Sequence, residues 1–291
     1  MQTLILRGEP AREEAMAKLR AKLSAAPRAP GLAVVVVGED PASAVYVRNK
    51  TKACEALGYR HQTHRFPAET SEAELLACVA GLNADPGVDG ILVQLPLPPG
   101  LQAERILGAL DPLKDVDGFH PENLGLLVSG HPRCVPCTPR GVLRLLQHYD
   151  VPLAGRRVAV VGRSVIVGRT LALLLSLKGK GGDATVVMCH SATPDLAAET
   201  SRADIVVAAM GRARALDRRH VRRGAVVVDV GINRLPGPAG GASLLAGDVD
   251  TAAMQDWAAA CTPVPGGVGL MTVAMLMQNT WEAMCRREGL V

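Results

Sequence analysis

Tyr46 and Lys50 stand four residues apart in Ser43-Ala-Val-Tyr-Val-Arg-Asn-Lys50, so on a helix both long, polar-tipped side chains project from one face. A phenol beside an amine could handle protons or line a substrate, and the same spacing suits an exposed face along which a lysine snorkels. Gln94 is a second candidate, at the end of the apolar run Gly90-Ile-Leu-Val-Gln-Leu-Pro96. A glutamine at the carboxyl end of a parallel-type strand needs hydrogen-bond partners where α/β sheets bind ligands, although loop backbone would also satisfy it. Asp115 and Asp117 lie one residue apart in Asp111-Pro-Leu-Lys-Asp-Val-Asp-Gly118 and could hold a cation with His120. Too few ligands follow at calcium-loop spacing, which favours turn capping or ligand hydrogen bonding. Cys134-Val-Pro-Cys137 has no second pair to complete a zinc site and reads as two small side chains around a turn. No metal is expected.

The elements that must position these groups follow from periodicity. Apolar spacing predicts helices over 9–23, from Asp40 to about Leu57, over 71–82 and near 101–110, with strands at 32–37 and 90–96. Thr138-Pro139 opens a further helix reaching about Tyr149. A domain boundary falls here, because Arg157-Val-Ala-Val-Val-Gly-Arg-Ser-Val-Ile-Val-Gly168 then reads as buried strand, glycine turn and helix. Such a turn lets backbone approach a pyrophosphate, and it also occurs for steric reasons alone. Strands at 184–189, 205–210 and 225–230 alternate with helices from 168, near 195–201 and near 217–222, which implies a parallel, doubly wound sheet. Residues 261–269 are a glycine- and proline-rich loop, and 270–287 a closing helix. The second strand ends Cys189-His-Ser191 without the carboxylate that holds the ribose hydroxyls of NAD, and Arg163 stands in the first turn; NADP is the expected cofactor.

Composition narrows the classes. The first residues lack a basic start followed by a long apolar core, and no apolar run approaches the roughly 18 residues of a membrane span, so a cytoplasmic protein without membrane contact is expected. Seven scattered cysteines suit a reducing compartment. A net charge of +4 and 2% aromatics offer few platforms for stacking bases, so nucleic acid is not an expected partner. The run Arg212, Arg214, Arg218, Arg219, Arg222 and Arg223 reads as a solvated helix face more readily than as a phosphate patch.

The chain resembles the bifunctional methylenetetrahydrofolate dehydrogenase/methenyltetrahydrofolate cyclohydrolase family over nearly its whole length. The resemblance is carried by Ser43–Lys50, Val93-Gln-Leu-Pro-Leu-Pro98, Lys114-Asp-Val-Asp-Gly118, Pro136-Cys-Thr-Pro139, Gly162–Gly168, Asp229-Val-Gly-Ile-Asn233, Gly247-Asp-Val249 and Thr262–Gly269. It implies an α/β fold of two domains: residues 1–139, completed by the C-terminal helix 270–291, as the catalytic domain, and 140–269 as a Rossmann-type doubly wound NADP-binding domain. It further implies an active site in the cleft between them and a homodimer joined through the cofactor domains. By the same resemblance Lys50 is the catalytic lysine, Tyr46 lines the folate, Gln94 bonds the lysine and Asp117 holds the pterin. Val93, Leu95, Pro265, Gly266, Gly267 and Gly269 are substrate-lining positions; Thr138, Gly162, Arg163, Ser164, Ser191, Ile232 and Thr272 are cofactor positions. Four departures from the family pattern fall at Leu270, Thr170, Arg212-Ala213 and a small insertion, Lys178–Gly182. The implied activity is oxidation of 5,10-methylenetetrahydrofolate with NADP and hydrolysis of the product to 10-formyltetrahydrofolate. The rival readings are a dehydrogenase without cyclohydrolase activity, a non-catalytic NADP-binding sensor, and a shikimate-dehydrogenase-like oxidoreductase. A lysine beside a substrate that becomes a cation should have a depressed pKa.

Overall fold

The computed structural model describes residues 2–290 other than Asp40, Lys180 and residues 237–242, and for residues 41–46 the backbone alone. The first half of the chain runs β1 (Leu4–Ile5), α1 (Gly8–Leu23), β2 (Gly31–Val37), α2 (Pro41–Leu57), β3 (Arg60–Phe66), α3 (Glu72–Ala84), β4 (Gly90–Val93), α4 (Ala103–Gly108) and α5 (Pro121–Val128). The second half runs α6 (Cys137–His148), β5 (Arg157–Val161), a π-helical turn (Val165–Arg169), α7 (Thr170–Ser176), β6 (Thr185–Cys189), α8 (Leu196–Thr200), β7 (Ile205–Ala208), β8 (Val226–Asp229), β9 (Asn233–Leu235), β10 (Leu244–Ala246), α9 (Thr251–Met254), β11 (Ala260–Cys261) and α10 (Val268–Arg287). No helix among the described residues is long and apolar enough to cross a membrane.

The chain divides into two compact units, one of Met1–Glu14 with Thr138–Thr272 and one of Ala15–Cys137 with Val273–Val291. The expected division put 1–139 with 270–291 and left 140–269 apart; the observed one differs chiefly at the start, where β1 pairs in parallel with β11 and the first fourteen residues join the cofactor unit.

In the catalytic unit a parallel sheet has the order β3-β2-β4. All seven residues of β2 are buried, as the unbroken Leu-Ala-Val-Val-Val-Val run requires of a central strand covered on both faces. β3 was absent from the periodicity reading because Arg60-His-Gln-Thr-His-Arg-Phe66 is an edge strand with polar, half-exposed side chains. Helix α3 begins at a reciprocal Ser71–Glu74 capping box. Its far end is closed by a distant side chain: Lys114 Nζ donates to the carbonyls of Leu82, Asn83 and Asp85 at 3.0, 2.6 and 2.7 Å. A cation there meets both unfilled carbonyls and the negative end of the helix dipole. The last helix locks the unit through buried contacts, the Tyr59 hydroxyl donating to Met277 O at 2.8 Å. Near its end Arg287 joins Arg28 on the fully buried Asp89, each with N–O distances of 2.6 Å, and Gly31 N donates to the same carboxylate at 2.8 Å.

The cofactor unit carries a parallel sheet of order β1-β11-β8-β7-β5-β6 and a β9–β10 hairpin. β5 has β6 on one side and β7 on the other, so the chain reverses its direction of travel across the sheet at β5, and ligands of such sheets bind beyond the carboxyl ends at that point. The helix expected near 217–222 is a series of turns. Asp217 accepts from Arg219 N at 3.0 Å and donates its own N–H to His220 Nδ1 at 3.2 Å, local bonds that compete with helix formation. The basic run is partly paired: Arg218 lies over Trp257 and donates to Ala253 O, Arg219 bonds Asp217, and Arg222 bonds Asp204.

Candidate active site

In the catalytic unit α2 delivers Lys50, which is 7% exposed, and its ammonium donates to Gln94 Oε1 at 2.8 Å. Gln94 follows the last residue of β4, Val93, and its backbone N–H continues the ladder to Val35 O at 2.8 Å. Its side-chain amide donates to Leu95 O at 2.7 Å, which fixes which end of the amide faces the lysine. Burial pushes the Lys50 pKa below the ordinary lysine value, against the opposing pull of Asp117 and Cys137. Asp117 moves the other way. Burial raises its pKa, while Lys50 and a hydrogen bond from the Cys137 thiol oppose the rise. The Cys137 thiol is held well above its usual range by burial and by the neighbouring Asp117. The buried Lys50 and Cys137 and the half-buried Gln94 and Asp117 thus form one polar cluster. The Tyr46 side chain lies outside the described residues; its backbone is in α2, one turn before Lys50.

The Asp-Val-Asp segment is built so that its two carboxylates do different work. Asp115 pairs with Ile91 at the edge of β4 and accepts from Gly118 N at 2.9 Å, His120 N at 2.8 Å and Asn123 Nδ2 at 2.9 Å. It shapes the loop. Asp117, two residues on, is half-buried and near enough to Lys50 that the ammonium favours its charged form. Asn279 of α10 braces the same loop, donating to Val116 O at 2.8 Å and Val135 O at 3.0 Å, with Cys137 Sγ at 3.5 Å. Cys137 was read from the sequence as a small side chain around a turn, with no role beside Asp117; Asn279 was not singled out, having no local signal. Among the described residues no group of three or more His, Cys, Asp or Glu side chains is arranged to hold a metal.

In the cofactor unit Gly162 ends β5 with φ of 135°, and a Cβ there would lie 2.1 Å from the Ala209 carbonyl beyond β7. Only glycine fits that close approach between the two strand ends. Ser164 caps the π-helical turn, its hydroxyl accepting from Val167 N at 3.3 Å. Thr170, where the family pattern has proline, donates to the Val165 and Val167 carbonyls at 2.9 and 3.1 Å. Arg163 and Ser191 are exposed, and no carboxylate follows β6 through His190 and Ser191. These donors suit an anionic phosphate beside the ribose, so the residues present fit NADP. Ile232 is 46% exposed, and Gly269 lies beside it, a Cβ there falling 3.6 Å from Ile232 Cδ1. Thr138 and Thr272 bring their hydroxyls to 3.4 Å. Gly8 N donates to Gly266 O at 2.8 Å, anchoring the loop that carries Pro265, Gly266 and Gly267. Leu270 opens α10 with its N–H on Gly267 O. Of the insertion, Lys180 lies outside the described residues.

A model of the tetrahydrofolate dehydrogenase/cyclohydrolase catalytic domain matches residues 6–117, and a model of the NAD(P)-binding domain of the same family matches residues 136–288. The bifunctional protein FolD of Desulfovibrio desulfuricans is 54% identical over 288 residues, which take in 98% of this chain and 99% of that protein. The crystal structure of the bifunctional FolD dehydrogenase/cyclohydrolase of Campylobacter jejuni shares the fold at a TM-score of 0.90 and 41% identity, covering 98% of this chain and 99% of that one. The Trypanosoma brucei dehydrogenase-cyclohydrolase, crystallised with NADP and an inhibitor, gives 0.93 at 35% identity and covers 99% of both chains. With two domain models in order and relatives matched from end to end, the chain belongs to the tetrahydrofolate dehydrogenase/cyclohydrolase family, enzymes that oxidise 5,10-methylenetetrahydrofolate with NADP and hydrolyse the methenyl product to 10-formyltetrahydrofolate.

Proposed function

We propose that Lys50 is the proton-handling residue of the hydrolysis, Gln94 the group that orients it, and Asp117 the carboxylate that holds the pterin. The observation that carries this reading is a buried lysine whose direct side-chain hydrogen bond goes to a neutral glutamine. In the first reaction the bridging carbon loses a hydride and becomes part of a methenyl cation. NADP, when bound, supplies the hydride acceptor. This step needs alignment of the donor carbon and no proton carrier. In the second reaction water adds to the cationic carbon, a proton leaves the water, and the bond from that carbon to the leaving ring nitrogen breaks. A neutral Lys50 amine takes the water's proton, and its ammonium returns one to the leaving nitrogen. Burial favours the neutral amine, and a fixed positive charge beside a cationic substrate would be repelled. Gln94 orients the amine without adding charge.

Val93 and Leu95 place Gln94, Tyr46 walls the folate, and Pro265, Gly266, Gly267 and Gly269 supply a backbone-lined flank. Gly162, Arg163, Ser164, Ser191, Ile232, Thr138 and Thr272 bind NADP, Arg163 and Ser191 taking the ribose phosphate. The protein acts in the cytoplasm as a homodimer; β6, the edge strand of the cofactor sheet with Met188 exposed, offers an unpaired strand for a second copy. Lys50→Met keeps the apolar stem and removes the amine. Stopped-flow decay of the methenyl absorbance with supplied methenyltetrahydrofolate is expected to fall to the spontaneous rate, with NADPH formation reduced less. Hydrolysis at the unmodified rate by the folded variant would exclude Lys50 from this role.

A further inference from the structure

We infer that Asp248 is a positioning residue for the NADP half of the reaction: its buried carboxylate sets the backbone of residues 210–212 beyond β7 and, through Asn233, the neighbouring Ile232. The inference rests on the cofactor assignment proposed above. Asp248 is fully buried. Its Oδ2 accepts from Met210 N at 2.7 Å and Gly211 N at 2.9 Å, and its Oδ1 from Arg212 N and Asn233 Nδ2, both at 2.9 Å. Three successive backbone amides aimed at one carboxylate belong to neither helix nor strand. The loop is wrapped around the charge, and an uncompensated buried amide would be costly.

That loop begins at Ala209, whose carbonyl occupies the space a Gly162 side chain would need. Any displacement of 209–212 therefore presses on the turn that carries Arg163 and Ser164. Asp248 is itself held by a second carboxylate. Asp229 Oδ1 accepts from Gly231 N and Asp248 N at 2.9 Å each, and Oδ2 from Val249 N at 2.9 Å. Two glycines let the carboxylates interlock with the opposite backbone: a Cβ on Gly231 would lie 2.3 Å from Asp248 Cγ, and one on Gly247 would lie 1.9 Å from Asp229 Oδ2. Ile232 thus sits between two tethered neighbours, Gly231 on Asp229 and Asn233 on Asp248, which presents a half-exposed apolar side chain at a fixed point beyond the strand ends. The Asp229–Asn233 and Gly247–Val249 segments, far apart in sequence, are parts of one clamp.

The test uses both activities of the intact enzyme, because hydrolysis of supplied methenyltetrahydrofolate consumes no NADP. In Asp248→Asn an amide replaces an oxygen that now accepts two N–H groups. The KM for NADP in methylenetetrahydrofolate oxidation is expected to rise about tenfold or more, while the folate KM and the methenyl hydrolysis rate stay within about twofold. Asn233→Ala, which keeps the carboxylate, should raise the NADP KM less. An unchanged NADP KM, or a parallel loss of oxidation and hydrolysis in a folded variant, would overturn the inference. If Asp248→Asn does not fold, Asn233→Ala decides the matter by the same two readings. An unmodified protein that hydrolyses methenyltetrahydrofolate but gives no NADP-dependent oxidation would sink the cofactor assignment instead.

Discussion

Lys114 and Lys50 are both buried in the catalytic unit; on the reading proposed above Lys50 does chemistry while Lys114 holds the fold, and Lys114→Met separates the two roles. Its ammonium makes three bonds to carbonyls at the end of α3. Hydrogen bonds from a charged donor contribute about 1.5–3 kcal/mol each, but these three share one ammonium and are not additive. Burial and the nearby Arg287 push the Lys114 pKa down, so part of the gain is offset by taking the charge out of water. The net loss expected for methionine is about 2–4 kcal/mol. At about 3 °C per kcal/mol for a domain of this size, the unfolding midpoint should fall by about 6–12 °C. Thermal unfolding followed by far-UV circular dichroism gives the midpoint, and methenyl hydrolysis at 20 °C gives the chemistry of the folded fraction. The hydrolysis rate should stay within about twofold of the unmodified protein. An unchanged midpoint, or a normal midpoint with hydrolysis abolished, would refute the assignment.

Arg163→Ala should lower the ratio of kcat/KM with NADP to that with NAD by about tenfold, the lower end of a charge-assisted contact because Arg163 is exposed; an unaltered ratio would remove Arg163 from the phosphate site. The depressed Lys50 pKa predicts that enzymatic methenyl hydrolysis, corrected for the spontaneous reaction, rises with pH through a point below the ordinary lysine value, since the neutral amine is the active form. Lys50→Met should lack that rise, and a pH profile identical in the two proteins would contradict the proposed proton transfer.

What could be read in advance depended on whether a residue's role was local. β2 and β5 announce themselves because strands covered on both faces admit little but Val, Ala and Leu. β3 does not, because its exposed edge permits Arg, His and Gln, and β1 and β11, with two residues each, are too short to show a period. At the site, Gln94 was legible as a polar residue at the end of an apolar strand. The division between Asp115 and Asp117 was not. Either carboxylate fits the spacing, and the choice is made by Ile91, His120 and Asn123, which reach Asp115 through the fold. Cys137 looked like a turn residue until the fold buried its thiol against the Val116 carbonyl, at 3.4 Å, and beside Asp117. The 217–222 segment was misread because its arginines carry helical propensity, whereas Asp217 and His220 bond the backbone locally.

The interleaving of the two units also bears on how the protein is made. The catalytic sheet is translated early, but Asp89 on its β4 side meets Arg287 of α10, and Tyr59 waits for Met277 of the same helix. Synthesis runs at about 5–20 residues per second and domains fold largely as units, so the catalytic half must stand incomplete while the whole cofactor half emerges. The cofactor half waits as well, because β1 finds its partner only when β11 is made, but β11 precedes the α10 segment that the catalytic half needs. Translation order and completion order therefore differ: the catalytic sheet is made before the rest of the cofactor sheet, yet it receives its last helix after the cofactor sheet has received its last strand.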